Sequence, residues 1–102
     1  MEIAHLNVKE TYSDIFPFGL FDVCIYDIDN EPPQFHIMSN DWDVSFKIND
    51  GEVHYVNQKG KDIDTYQYIM QNVKKWLDLP NAIIPRITNR ENAISVWMQL
   101  HS

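Results

Sequence analysis

Trp42-Asp43-Val44-Ser45-Phe46-Lys47-Ile48-Asn49-Asp50-Gly51-Glu52-Val53-His54-Tyr55-Val56 decides the fold. Trp42, Val44, Phe46 and Ile48 alternate with Asp43, Ser45 and Lys47, the period-two pattern of a half-buried strand. Asn49-Asp50-Gly51 supplies a hairpin turn, with Gly51 free to take a positive φ. The return strand places Val53 and Tyr55 on one side and His54 and Val56 on the other.

Upstream, two shorter runs read as strands. Leu20 to Tyr26 is rich in β-branched and aromatic residues, with Phe21, Val23 and Ile25 on one face and Asp22 and Cys24 on the other. Phe35 and Ile37 point opposite to Gln34, His36 and Met38. Between these runs lies Asp27-Ile28-Asp29-Asn30-Glu31-Pro32-Pro33. Its two prolines remove amide donors and push Glu31 into an extended conformation, so it is a turn. The first residues are read two ways: an edge strand over Met1 to Val8, or a short helix over Asn7 to Phe16 opened by Asn7 and Glu10.

Downstream of Gly60 the period changes. Ile63, Tyr66, Ile69, Met70, Val73, Trp76 and Leu77 follow three- and four-residue steps, the stripe of an amphipathic helix. Lys74 and Lys75 favour its C-terminal end, and Pro80 stops it. Thr88 with Glu91 forms a capping box that opens a second helix, with Ile94, Trp97 and Met98 on one stripe. Strands first and helices afterwards predict one compact α+β domain over residues 1–102. Its small antiparallel sheet has about three to five strands, with the two helices on one face.

Composition narrows the function. The chain has 102 residues and a net charge of −7. It has no basic cluster longer than Lys74-Lys75, so direct nucleic-acid binding is not expected. No apolar run approaches the length of a membrane span, and the start lacks the order of a secretory signal, so the expected location is cytoplasmic. Cys24 is the single cysteine and sits among apolar neighbours, which predicts a buried, inert thiol. The acidic residues are scattered, as on a solvated surface.

The chemistry on offer converges at one corner. His36 is the main candidate, with Asp29, Glu31 and His54 as its prospective partners. No glycine-rich phosphate loop and no serine elbow occurs, and the DIDNE segment lacks the glycine and closing glutamate of a calcium loop. No cofactor and no metal site is expected. His5 and His101 lie near the ends and are expected to be solvated, and Tyr66, Trp76 and Trp97 are read as core.

Asp29-Asn30-Glu31-Pro32-Pro33-Gln34-Phe35-His36 resembles the signature of a small bacterial family of uncharacterised proteins, domain of unknown function 4160, in which Asn/Asp-x-x-Pro-Pro-His-Phe-His follows a strand. Val44 to Ile48 before Asp50-Gly51-Glu52, then Trp76-Leu77, and a last helix with Glu91 and Trp97 extend the likeness from Phe18 to Leu100. Gln34 stands where the signature has its first histidine. The resemblance implies a bacterial protein paired with a second small protein, in a toxin–antitoxin-like manner. The expected function is a non-enzymatic module that binds a protein partner or itself. One alternative is a metal-assisted hydrolase or nuclease-like toxin, which requires His36 to meet Asp29, Glu31 or His54 in one concave site. Another is an acidic nucleic-acid mimic, which requires a regular stripe of carboxylates.

Overall fold

The computed structural model describes residues 1–6, 22–38, 42–58 and 63–102. Five strands form one antiparallel sheet in sequence order: β1 (Ile3–His5), β2 (Asp22–Tyr26), β3 (Gln34–Met38), β4 (Trp42–Lys47) and β5 (Val53–Gln58). Helices α1 (Ile63–Leu77) and α2 (Asn89–Leu100) follow. The α+β architecture read from the sequence is the one observed, with β1 taking the edge-strand option at the start. The alternative helix over 7–16 and the position of Phe21 lie outside the described residues.

Alternation decides which side chains meet the helices. Val23 and Ile25, Phe35 and Ile37, and Val44 and Phe46 point to one face and are fully or almost fully buried. Ile69, Val73, Trp76 and Leu77 of α1, with Ala93 and Trp97 of α2, close over them in one cluster. Phe35 stacks on Phe46 and tilts against Trp76, each with ring centroids 5.7 Å apart. Burying one such aromatic ring removes roughly 150–250 Å² from water, about 4–6 kcal/mol before entropy is subtracted.

The hairpin turn behaves as its sequence requires. Gly51 has φ 72°, and a Cβ there would meet Lys74 Cγ at 2.9 Å. Backbone conformation and close approach of α1 both select glycine. The capping box is complete: Thr88 Oγ1 accepts from the Glu91 amide at 3.1 Å, and Glu91 Oε1 accepts from the Thr88 amide at 3.1 Å. Arg90 Nε donates to the Ile48 carbonyl at 3.1 Å and ties α2 to the end of β4.

Three facings differ from the simple periodic reading. Met70 of α1 is 38% exposed, off the buried line of Ile69, Val73, Trp76 and Leu77. Met98 is 64% exposed, whereas Ala93 and Trp97 are buried and Ile94, Val96 and Leu100 are partly buried against the core. The stripe of α2 therefore centres on the four-residue step Asn89-Ala93-Trp97, and Met98 lies one residue around the helix from it. In β5, Tyr55 opposes Ser45 while Val53 opposes Phe46, so a β-bulge separates Val53 from Tyr55. The extra residue turns Tyr55 to the face away from the helices and leaves Val53 against the core.

Candidate functional site

The face of the sheet away from the helices carries a row of chemically equipped side chains across all five strands. His5 opposes Cys24, Cys24 opposes His36, His36 opposes Ser45, and Ser45 opposes Tyr55. These residues share a face because strand side chains alternate and antiparallel partners point the same way. His36 and Ser45 are buried although they lie on the side away from the helices.

His36 is clamped between two carboxylates. Its Nε2 lies 2.6 Å from Asp29 Oδ2, and its Nδ1 lies 2.8 Å from Asp43 Oδ1. A carboxylate only accepts, so the arrangement suits an imidazolium that donates through both ring nitrogens. Burial opposes that charge, but the hydrogen bonds to Asp43 and Asp29 outweigh it and hold the imidazole above its ordinary range. The Tyr26 ring meets the imidazole edge-on at 4.5 Å, and its hydroxyl donates to Met38 Sδ at 2.8 Å. Burial, then the neighbouring Cys24, pushes the Tyr26 phenol above its ordinary value. Burial likewise raises the Cys24 thiol, in keeping with an inert buried sulfur.

The turn between β2 and β3 places Asp29. Gln34 Nε2 donates to the carbonyls of Asn30 (3.1 Å) and Pro32 (3.3 Å) and holds the turn closed; the Glu31–Pro32 peptide is cis. Gln34, at the position of the signature's first histidine, is thus a buried turn-holder with no contact to the His36 ring among the hydrogen bonds of the described residues. On the far side, His101 Nε2 lies 2.9 Å from the Asp29 carbonyl, and its ring stacks on Trp97 at 3.6 Å. His101 is exposed, as its position near the chain end suggests, and it also pins the end of α2 to this turn. The aromatic face of Trp97, one helical turn earlier, holds the imidazole in place.

A depression of about 380 Å³ opens beside the clamp, lined by Ile28, Asp29, Asn30, Glu31, Gln34, His36, Ser45, His54 and Tyr55. All four residues proposed from the sequence, His36, Asp29, Glu31 and His54, line it. His54 reaches it because the bulge sets His54 and Tyr55 together opposite Ser45. Asp43 and Ser45 were missed by sequence reasoning. The signal for both was the short β3–β4 connection, which brings the polar face of β4 beside His36 once that pair is taken as a hairpin. Of the remaining motif residues, Phe35 is core, while Asn30, Pro32 and Pro33 shape the turn.

Among the described residues no group of three or more His, Cys, Asp or Glu side chains is arranged to hold a metal ion, and no helix is long and apolar enough to cross a membrane. No family model, curated protein or solved structure matches the chain.

Proposed function

We propose that this protein is a non-enzymatic interaction module that takes an extended segment of a protein partner along β5. The observation that carries the reading is the character of that strand. β5 is an edge, and Val-His-Tyr-Val-Asn-Gln contains neither a charge nor a proline. His54, Tyr55, Val56 and Asn57 are exposed. An edge strand of this kind presents unpaired backbone donors and acceptors, and lacks the lysines and prolines that usually discourage pairing. No described strand occupies its outer side. The depression next to it carries Asp29 and Glu31, and the chain has a charge of −7, so a cationic segment is the complementary occupant. The resemblance at Asp29 to His36 adds the paired-module context, with a bacterial, cytoplasmic setting.

The experiment is direct. A fluorescent peptide of alternating Val and Arg is titrated against the protein, with a Val/Glu peptide as control. Binding of the Val/Arg peptide, slowed amide exchange over Val53–Gln58, and loss of both effects in Val56→Lys are expected. Amide protection confined to other elements, or equal binding of the two peptides, overturns the reading.

One observation favours a second reading, acid–base chemistry: His36, Asp29, Glu31 and His54 do line one site. The clamp weighs against it, since neither ring nitrogen of His36 is free to take or give a proton to a substrate. Hydrolytic activity on a nucleotide or ester panel that disappears in Glu31→Gln would reverse this ranking. A nucleic-acid mimic is the weakest reading. Asp50, Glu52 and Asp78 are paired with Lys47, Lys74 and Arg90, which makes the surface mixed in sign rather than a continuous acidic stripe.

A further inference from the structure

Among the described residues Asp27 Oδ1 and Ser45 Oγ are buried side-chain oxygens without a hydrogen-bond partner, and of the two only Ser45 lines the depression. It is completely buried, it lines the depression, and its Oγ has no hydrogen-bond partner among the described residues. A hydroxyl taken out of water with no partner destabilises a fold, and natural structures rarely leave one so. An alanine or valine would suit strand β4 at that position at least as well. The groups around Ser45 indicate what would complete it. One imidazolium balances only one of the two carboxylates Asp29 and Asp43, so the cluster with Glu31 keeps a net negative charge. Glu31 has no ion-pair partner among the described residues. An anion finds no donor at His36, because both ring nitrogens are occupied. Tyr55 and His54 supply aromatic walls on the strand side.

An acidic rim, an acceptor hydroxyl and flanking aromatic rings are the complement of a planar cation with several N–H donors. We propose that the depression is a guanidinium pocket: it receives an arginine side chain, with Glu31 and the outward oxygen of Asp29 accepting at the rim, Ser45 Oγ accepting at the base, and Tyr55 against the plane. This deepens the reading of β5 as a docking edge and rests on it for the source of the arginine. The pocket itself is complete without the edge. An ammonium fits less well, because a point charge on a flexible stem gains nothing from the aromatic walls' shape and cannot bridge rim and base together.

The test uses N-acetyl-arginine-N-methylamide on the intact chain, followed by two-dimensional amide NMR, with the citrulline and lysine analogues as controls. The arginine probe is expected to shift the amides of Asp29, Ser45, His54 and Tyr55. The citrulline analogue, which keeps the shape and loses the charge, should do so at least about tenfold more weakly. Ser45→Ala should weaken the probe about three- to tenfold, the loss of one hydrogen bond, while leaving the remaining amide spectrum unchanged. Glu31→Gln should weaken it by about tenfold. Equal binding of arginine and citrulline, or an affinity indifferent to both Ser45→Ala and Glu31→Gln, overturns the pocket. A Val/Arg peptide that still protects β5 in that case would show the edge reading surviving without it. A probe that binds while no peptide protects β5 would show the reverse.

Discussion

Among the described residues, polar side chains are buried at two places, and they are solved differently. Between the helices, Asn81 and Asn89 are 5% and 2% exposed. Asn89 Nδ2 donates to the Trp76 carbonyl at 2.8 Å, and its Oδ1 accepts from Asn81 at 3.3 Å. Asn81 Oδ1 in turn accepts from the amides of Ile83 and Ile84 at 3.0 Å each. That network is closed: its polar atoms hold the connection between α1 and α2, as turns and buried backbone require. On the face of the sheet away from the helices, His36 is saturated by Asp29 and Asp43, but Ser45 beside it is not. A closed network is architecture. An open valence, in a site that also keeps excess negative charge, is the feature on which the proposed pocket rests.

Removing His36 should have the largest effect. His36→Leu leaves two carboxylates facing an apolar side chain with no cation between them. Loss of one partner from a buried ionic cluster costs about 3–5 kcal/mol. Here the lower end applies, about 3 kcal/mol, because the Asp43 side chain is 33% exposed and water relieves part of the penalty. The urea midpoint at neutral pH measures it. A midpoint close to that of the unaltered chain would mean the clamp contributes little and the polar face is soft.

Asn89→Ala should cost about 1–2 kcal/mol, because the Trp76 carbonyl keeps only the Leu79 amide and the Asn81 side-chain amide loses its acceptor inside the core. The same variant should bind the arginine probe unchanged. That pairing sharpens the contrast between the two sites, since a closed network affects stability without touching ligand affinity.

The clamp also predicts a pH signature. The folded state holds His36 above the ordinary value of 6.5. Its stabilisation is therefore fully present below about pH 6.5 and is lost as pH rises through the higher folded value. The groups facing the ring are Asp29 from the β2–β3 turn, Asp43 from β4, and Tyr26 from β2, with Glu31 and His54 across the depression. Urea midpoints for the unaltered chain should fall, relative to His36→Leu, between mildly acidic and alkaline pH. Parallel curves for the two proteins would remove the imidazolium from the account.

Much of this was readable in the residues, for physical reasons. The alternation of Val44, Phe46 and Ile48 set the core face of β4, and the double proline marked the turn that carries Asp29. Thr88 and Glu91 fixed the start of α2 because a capping box is a local interaction. Asp43 was not singled out, because its contact with His36 depends on register across two strands, which is a tertiary quantity. The bulge at Val53-His54-Tyr55 has no residue signature, so alternation misassigned Tyr55 while naming His54 as a site candidate. The stacking of His101 on Trp97 needed both the helix's position and the turn beneath it.

The smallest effect discriminates best. If Ser45 were merely a tolerated strand residue, Ser45→Ala would remove one oxygen and nothing else would change. If the hydroxyl is kept for a ligand, its removal should separate two quantities that mutations usually move together. Stability should rise by up to about 1 kcal/mol, because a desolvated group without a partner has gone. Arginine affinity should fall in the same protein. Most substitutions that damage a site also loosen the fold, so a midpoint that rises while binding weakens marks a group held at a stability cost for its ligand. A Ser45→Ala protein that is less stable than the parent would show that the hydroxyl contributes to the fold after all. The contrast with Asn89 would then collapse, leaving two architectural clusters and no open site.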